Sequence, residues 1–565
     1  MMNGYSIIKR MYITKKTIAI GLFVAAVAMV ASGKAITAVS RHTVESRTAA
    51  LGALNTCAAG TSAALKPVFL NYDETHYAHS RMKMGVVPSE GEVRSLVSQY
   101  KGTHVTDILF CISGRIAGVP NGVKESWCDK YRQTFENGRA VSYTNHYIRL
   151  YREMDEVLKL DRYALWIDEA RRNGIRPWLS FRMNDCHDTY NPTSFLHSDF
   201  YHKHPEYRRI RHRAASGHFD KCLDYSFAEV RERELKFIRE MLMRYDVDGI
   251  EIDWQREVYC FAPGRESAAA ITAFMRSVRA IADDAAKRRA RPVRVLSRVP
   301  ADPETALRFG FDAATWADEK LVDVLVPCPR WETADNDIPT DVWKRLIRKS
   351  DVVLAPGLEL RICNHPWTAP FYMLTDQIRG WAAAQYSLGA DALYLYNYFD
   401  DPGWKSPKTT YWRSFNQPQE TKGVAWENQL KWLNEIGSPS ALAALPRDHM
   451  LTYRDIVPLW EEVRRPFPVW VRKGAPKFFR LATGRIAAGC TLRLRIGVKG
   501  GKVPEEVFVN SRPCVFLKKE PCVPAFTSDP LCVYEVPHCD EDAAVVEILT
   551  NTPVELSHLD LQVRP

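Results

Sequence analysis

The sequence lacks the patterns that mark several large classes of protein. Its 13 cysteines include no Cys-x-x-Cys pair and no zinc-ligand spacing, so we predict no metal site. It has no basic helix, no arginine-rich tail and no nucleic-acid-binding motif, although its net charge is +10. Because the lysines and arginines are scattered, we interpret this charge as a solvated surface and expect no nucleic-acid partner. A preference for anionic substrates, such as sulfated or uronic-acid glycans, is the alternative.

No glycine-rich phosphate turn follows the first apolar run of the chain. That run continues into Asn-Tyr-Asp-Glu-Thr-His at residues 71–76. A doubly wound open sheet is expected to carry such a turn after its first strand, so its absence disfavours that fold. We predict no cofactor.

The N-terminal 33 residues resemble an export signal. Lysines and arginines between residues 9 and 16 precede an apolar run over 17–31, which is short for a membrane span. We predict a signal peptide or an N-terminal anchor over 1–33, and a periplasmic or extracellular protein. The membrane is then a partner only through this segment, if it is not cleaved. Cys514, Cys522, Cys532 and Cys539 are consistent with one or two disulfides, or equally with ordinary thiols.

The proportions of hydrophobic (46%) and charged (25%) residues are typical of a globular protein. Residues 65–445 alternate between β-rich apolar runs and helical patterns. Eight strands separated by helices predict a (β/α)8 TIM barrel, with the open sheet as the alternative. Serine and glutamate spaced as capping boxes at 89/92 and 226/229 open two of the helices. The predicted strands cover 67–71, 107–113, 177–182, 249–254, 293–299, 322–328, 352–356 and 392–398.

The pattern changes near the C-terminus, where residues 466–565 show period-two runs separated by turns. Such runs, of which 491–496 is the clearest, predict a smaller all-β, sandwich-like domain. It braces the barrel or binds glycan. Bracing is favoured because its strands show no run of exposed tryptophans.

In a (β/α)8 barrel the functional groups lie at the carboxyl ends of the strands. This chain places arginines, amides, acids and aromatics after most of its predicted strands, more densely than structural loops require. We predict that substrate is bound by Asn71, Arg182, Asn184, Asp185, His187, Gln255, Arg256, Arg298, Trp331 and Asn397. The long segment 183–224, rich in histidine but without metal-ligand spacing, is predicted to wall the substrate cleft.

Two carboxyl groups are needed to cleave a glycosidic bond, one protonated and one ionised. Glu251 and Asp253 share a face of the fourth strand, about 7 Å apart at about 3.3 Å per residue. Proximity raises the pKa of one of them, which makes a general acid available. We assign Asp253 as general acid/base and Glu359, after the seventh strand, as nucleophile or base. Glu251 orients Asp253 or pairs with Arg182.

The sequence Asp-Gly-Ile-Glu-Ile-Asp-Trp-Gln over 248–255 resembles the fourth-strand motif of family 18 chitinases, Asp-Gly-x-Asp-x-Asp-x-Glu. The catalytic glutamate of that family falls on Gln255, which cannot donate a proton as a carboxylic acid does. Residues 204–207, 223–225 and 244–250 follow the order seen in bacterial glycosyl-hydrolase-like barrel proteins, the "family 10-like" group. That resemblance implies a barrel over about 65–400 with an aspartate at the position of Asp253.

A third resemblance concerns Glu359, whose position is similar to the seventh-strand nucleophile of the large retaining-glycosidase clan. The Asn-Glu pair that this clan keeps on its fourth strand is missing here. We therefore predict an exported glycoside hydrolase acting on a poly- or oligosaccharide, with an anionic glycan as the alternative substrate. A carbohydrate-binding barrel without catalysis, indicated by Gln255, and a metal-dependent hydrolase or deacetylase are the alternatives.

Overall fold

The computed structural model describes residues 65–73, 77, 88–136, 145–189, 191–210, 218–330, 336–362, 371–398, 426–451, 467–522, 527 and 529–565. These residues belong to one compact unit, Ala64–Pro565. The predicted export segment and Trp331 lie outside the described residues.

The first part of this unit is a parallel barrel. Its strands lie in the order β7-β6-β5-β4-β3-β2-β1-β11-β8, and β9 and β10 form a separate antiparallel pair. Only Ala355 and Pro356 separate β7, which pairs with β6, from β8, which pairs with β11. The two are halves of one strand, so eight strands close and the predicted (β/α)8 fold is confirmed. The bounds are β1 Val68–Tyr72, β2 Val105–Ser113, β3 Arg176–Arg182, β4 Gly249–Asp253, β5 Arg294–Pro300, β6 Val324–Cys328, β7 Val353–Leu354, β8 Gly357–Glu359, β9 Arg361–Ile362, β10 Phe371–Tyr372 and β11 Leu393–Tyr396.

Helices connect the strands and cover the outside of the barrel. One of the two predicted capping boxes is confirmed, because the Ser89 side chain accepts from the Glu92 backbone and Glu92 accepts from the Ser89 backbone. The bounds are α1 Glu90–Ser98, α2 Trp127–Tyr131, α3 Asn145–Arg152, α4 Arg162–Arg172, α5 Asp199–Lys203, α6 Ala228–Arg244, α7 Ala268–Arg289, α8 Pro303–Arg308, α9 Ala313–Asp318, α10 Thr340–Leu346, α11 Thr375–Ser387, α12 Trp426–Leu433 and α13 Pro439–Ala443. Further turns are π-helical at Arg132–Glu136 and Glu153–Val157, and 3-10 at Pro205–Tyr207, His218–Lys221 and Lys499–Gly501.

The second predicted capping box is wrong. Helix α6 begins at Ala228 after Phe227, without a side-chain cap. The Ser226 backbone N–H donates instead to Asp224 Oδ1 at 2.9 Å. An aspartate side chain that accepts from the backbone N–H two residues later forms a turn. Ser226 belongs to this turn and so does not cap the helix.

Period-two alternation sorts the residues of β4 between the barrel interior and the helices. Ile250 and Ile252 join the cluster between strands and helices, whereas Glu251 and Asp253 face inward. Gly249 opens the strand because a Cβ there would lie 2.2 Å from the Trp178 ring, which fills the amino-terminal end of the barrel. The acids of this strand therefore lie above an apolar floor.

The C-terminal part is the predicted all-β domain, two antiparallel sheets that enclose a separate apolar core. One sheet has the order β12-β21-β15-β19-β18, with β13 beside β21, and the other has β14-β20-β16-β17. Cys514, Cys522, Cys532 and Cys539 are free thiols. The bounds are β12 Arg447–Leu451, β13 Val469–Val471, β14 Lys477–Ala482, β15 Thr491–Val498, β16 Glu506–Val509, β17 Arg512–Pro513, β18 Val515–Glu520, β19 Leu531–Val536, β20 Ala543–Leu549 and β21 Val554–Arg564.

Helix α11 of the barrel packs directly on strand β12 of the sandwich. A Cβ on Gly380 would lie 2.1 Å from the Asp448 carbonyl oxygen, so the two backbones meet at a position that only glycine permits. Arg564 Nη2 also reaches Asp376 of the helix at 3.4 Å. Among the described residues, no helix combines the length and the apolar character needed to span a bilayer.

Candidate active site

One arginine joins two buried carboxylates at the carboxyl edge of the barrel. Arg298 Nη1 donates to Asp253 Oδ1 at 3.0 Å, and Arg298 Nη2 donates to Glu359 Oε1 at 3.3 Å. Asp253 and Glu359 end β4 and β8, so the closed sheet brings them together. All three side chains are almost fully buried. The arrangement unites two of the three predicted catalytic residues with a predicted binding residue.

The Arg298 guanidinium lies on the ring of Tyr396, 3.2 Å from its centroid. Burial alone would lower the pKa of Arg298, but Asp253 and its other neighbours hold it well above the ordinary value. A planar, always charged guanidinium stacks on an aromatic face while binding two carboxylates. Arg298 therefore brings one fixed positive charge against both carboxyl groups.

Glu251 lies one layer deeper in the barrel. Asn71 Nδ2 donates to its Oε2 at 2.7 Å, and the Tyr394 hydroxyl donates to Oε1. Burial and the charge of Asp253 raise the pKa of Glu251 to about 7. Donors from Ser180 and Tyr394 oppose that shift without cancelling it. Glu251 therefore keeps its proton at pH values where an ordinary glutamate is ionised.

Arg182 is not the partner of Glu251, so that part of the prediction is wrong. Its Nη2 donates to Asp73 Oδ2 and to Asn397 Oδ1, each at 2.9 Å. Asn397 reaches this position with a positive φ of 46°. Arg182 is the last residue of β3, above the layer of Glu251, and so it meets groups from the ends of β1 and β11 instead.

A chain of hydrogen bonds runs from the segment after β3 to Asp253. His187 Nδ1 donates to Asp185 Oδ1 at 2.5 Å, and Arg256 Nη2 donates to His187 Nε2 at 3.0 Å. The Arg256 backbone N–H donates to Asp253 Oδ1 at 3.0 Å. Burial would raise the pKa of Asp185, but His187, Arg256 and Arg182 hold it well below the ordinary value. Three predicted site residues thus support the turn that carries Asp253.

Asn184 is engaged elsewhere. Its Nδ2 donates to the carbonyl oxygens of Leu223 and Tyr259, at 3.0 and 2.9 Å. It ties the two ends of segment 183–224 to the loop after β4. Its described residues form α5 and two 3-10 turns on this scaffold.

Gln255 is 1% exposed, and neither its Nε2 nor its Oε1 has a hydrogen-bond partner in the described part of the chain. The same holds for Asp253 Oδ2. Buried polar atoms normally find partners, so these atoms indicate a place where a small polar group binds.

Several residues of the site were missed in the sequence. Tyr394 and Tyr396 follow the alternation Leu-Tyr-Leu-Tyr of β11, which places both rings inside the barrel. That alternation was the available signal. Glu257 and Arg330 form a further ion pair at 3.3 Å, and Cys186 Sγ donates to the other Glu257 oxygen at 3.0 Å. Glu257 gave no signal, since it follows the strand in a loop.

The arrangement supports acid–base chemistry. Glu251, Asp253 and Glu359 lie around one guanidinium, so full ionisation of the three would leave two uncompensated charges in a buried site. Of the three, Glu251 has its pKa raised to about 7, by burial and by the charge of Asp253. Within the described ranges, no three His, Cys, Asp or Glu side chains are grouped so as to hold a metal ion.

No family model and no curated protein matches this chain. Among solved structures it is similar to a cycloisomaltooligosaccharide glucanotransferase of Paenibacillus sp. (10% identity, TM-score 0.32), with 87% of this chain and 57% of that one covered. It is also similar to alpha-L-fucosidase isoenzyme 1 of Paenibacillus thiaminolyticus (11%, TM-score 0.32, 86% and 96% covered) and an Anoxybacillus alpha-amylase (11%, TM-score 0.36, 86% and 98% covered). This chain thus spans little more than half the length of the glucanotransferase. Likeness at this level carries no information about activity.

Proposed function

We propose that this protein is an exported glycoside hydrolase that cleaves O-glycosidic bonds of a poly- or oligosaccharide. One observation carries the proposal: two buried carboxylates, Asp253 and Glu359, share Arg298 at the carboxyl edge of a (β/α)8 barrel. A single guanidinium keeps them close enough to act on one bond, since carboxylate pairs in glycosidases are about 5–9.5 Å apart.

Each carboxylate has a role that its surroundings support. Glu359 is the nucleophile or base, because the Arg298 guanidinium donates to its Oε1. Asp253 is the general acid/base, with one oxygen held by Arg298 and the Arg256 backbone and the other without a protein partner in the described residues. Glu251 holds a proton up to about pH 7 on the same strand face, and it stores that proton directly beneath Asp253.

The test is glycan cleavage by the purified protein and by the amide variants Asp253→Asn and Glu359→Gln. A panel of neutral and acidic poly- and oligosaccharides is assayed for new reducing ends. We expect each variant to lose about 10²- to 10⁴-fold in rate, the contribution typical of a positioned acid or base, while still binding the glycan. The exposed Glu229→Gln is the matched control and should retain full activity.

Cleavage that persists in both variants would contradict the catalytic assignment. The stereochemistry of the product then separates retention from inversion. Export is tested by sequencing the N-terminus of the protein recovered outside the cytoplasm. An uncleaved residue 1 on a membrane-bound form would favour the anchor over the signal peptide.

A carbohydrate-binding barrel without catalysis is the second candidate. Gln255 favours it, because an amide lies where the resembling chitinase motif keeps its proton donor. Binding of a glycan without any cleavage by the wild-type protein would support this candidate and overturn the hydrolase.

A further inference from the structure

The mouth of the barrel, at the carboxyl ends of its strands, contains buried polar atoms that have no hydrogen-bond partner among the described residues. Among them are Asp253 Oδ2, both amide atoms of Gln255, the hydroxyl of Tyr396 and Arg298 Nε. The four side chains are at most 1% exposed. Leaving a buried donor or acceptor without a partner costs about 1–3 kcal/mol per group, so such a cluster is stable only if something else satisfies it.

The contacts around these atoms place them in neighbouring parts of the barrel mouth. The residue after Gln255 donates its backbone N–H to the Asp253 carboxylate, so the turn that carries the amide lies against that carboxylate. Tyr396 lies under the guanidinium that holds the same carboxylate. A ligand bound at Asp253 Oδ2 would therefore lie beside the turn that carries Gln255 and beside the stacked Arg298 and Tyr396.

The hydrogen-bonding character of the cluster matches hydroxyl groups. An amide offers donors and an acceptor, a phenol offers one of each, and an ionised carboxylate only accepts. A pair of hydroxyls both donates and accepts, so it satisfies all of these groups together. A carboxylate or sulfate ester only accepts hydrogen bonds and would be opposed by Asp253.

The charges at the mouth also favour a neutral ligand. Each buried arginine already has a carboxylate: Arg182 has Asp73, Arg256 has Asp185, Arg298 has Asp253 and Glu359, and Arg330 has Glu257. With Glu251, six carboxylates face four guanidiniums. An anionic ring would therefore add negative charge where carboxylates already outnumber the guanidiniums of the described residues.

We infer that this site binds a neutral sugar ring by two hydroxyls, one on Asp253 Oδ2 and one on the Gln255 amide, and that it rejects uronic-acid and sulfated rings. The inference rests on the proposed function and names its substrate class. It replaces the wider expectation that included anionic glycans.

The test measures binding without turnover, in the Glu359→Gln background. The probes are gluco-, galacto- and manno-oligosaccharides, each paired with the oligosaccharide of the corresponding uronic acid. We expect one neutral series to bind at least about 10-fold more tightly than its uronic-acid partner. Gln255→Met, similar in size but without donors or acceptors, should weaken neutral binding about 10- to 100-fold, the cost of unpaired polar groups. Gln99→Met, at the end of α1, is the matched control.

A second measurement uses no Gln255 variant, in case that variant does not fold. Monodeoxy analogues of the bound neutral sugar are titrated, and removal of one of the two recognised hydroxyls should cost a similar 10- to 100-fold. Uniform binding of all deoxy analogues would overturn the inference, because water alone would then occupy the cluster.

The outcomes separate the two proposals. Tighter binding of uronic-acid oligosaccharides, or unchanged binding by a folded Gln255→Met variant, would overturn the neutral-sugar inference and leave the hydrolase standing. No binding and no cleavage of any glycan by the wild-type protein would overturn the proposed function, and the inference with it.

Discussion

Two aspartates, Asp107 and Asp253, are fully buried at opposite ends of the same barrel, and they are held in opposite ways. Both oxygens of Asp107 accept hydrogen bonds, from Arg176 Nε and Trp178 Nε1 at 2.7 and 2.8 Å, and from Arg176 Nη2 and Thr106 at 2.6 and 2.7 Å. Only one oxygen of Asp253 is bonded, while the other has no partner in the described part of the protein.

The difference separates a structural acid from a functional one. A carboxylate whose lone pairs are all filled by the protein stabilises the fold and has nothing left for a substrate. A buried carboxylate with one oxygen lacking a hydrogen-bond partner costs free energy. Such groups are found where the unbonded oxygen serves function. Both aspartates are buried and lie beside an arginine, so burial and a nearby charge do not distinguish them. The two differ in how many of their carboxylate oxygens accept hydrogen bonds from the protein.

The matched substitutions Asp107→Asn and Asp253→Asn give the largest expected contrast. At Asp107 the new NH₂ group would face donors whichever way the amide turns, so we expect a loss of about 3 kcal/mol in the free energy of unfolding. At Asp253 the amide oxygen keeps both bonds and the NH₂ takes the position without a partner. That loss should be below about 1 kcal/mol. Urea unfolding of the two variants measures the difference in the free energy of unfolding. Equal losses in the two variants would contradict the distinction between the two aspartates.

The pH dependence of stability tests Glu251. Its pKa in the folded protein, about 7, lies above its ordinary value of 4.5. Between these values the folded state binds more protons than the unfolded state, so the stability from this group falls as pH rises from about 4.5 to 7, then stays constant. The change is on the order of 3 kcal/mol at 1.36 kcal/mol per unit. The Glu251→Gln variant should lack it, so its stability relative to wild type should rise over that window. A constant difference from pH 4.5 to 8 would contradict the shift.

Gly249→Ala tests the apolar end of the strand that carries both site acids. The added methyl group would lie 2.2 Å from the Trp178 ring, so we expect about 1–3 kcal/mol of destabilisation by overpacking. Activity of the folded fraction should remain, because the change lies below the acids. Thermal unfolding measures the first effect and active-site titration the second. Gly91→Ala, where the new Cβ would have only Ser89 Oγ within 4 Å, at 3.9 Å, is the control for an added methyl group without a clash.

Tyr394→Phe should give the smallest effect. It removes the hydroxyl that donates to Glu251 Oε1, a bond that lowers the pKa of that carboxyl. We expect the pKa of Glu251 to rise by up to about one unit, since such a bond contributes about 1 kcal/mol. Carbon-13 NMR titration of labelled glutamate measures it. The control Tyr396→Phe should leave this pKa in place, and a fall in Tyr394→Phe would refute the assigned contact.

Much of the barrel could be predicted because its strands are short apolar runs buried on both faces. The seventh strand was the exception, since the prediction ended at residue 356 and the pairing continues to Glu359. Pro356 has no backbone N–H and Gly357 lacks a side chain, so the sequence there is typical of a strand end. The structure uses this break to move the strand's pairing from β6 to β11 and so close the barrel. Glu359 consequently lies inside the sheet rather than in an exposed loop.

The sequence by itself determined which residues share a face, because side-chain alternation and the common edge of parallel strands are local rules. These rules placed Glu251, Asp253, Arg298 and Glu359 at one end of a barrel. Only the tertiary structure decided which of these side chains form hydrogen bonds and ion pairs with each other. Arg298 rather than Arg182 joins the acids, Tyr394 rather than a charge holds Glu251, and Gln255 keeps its amide unused. Such choices depend on distances between strands far apart in sequence, which no local pattern encodes.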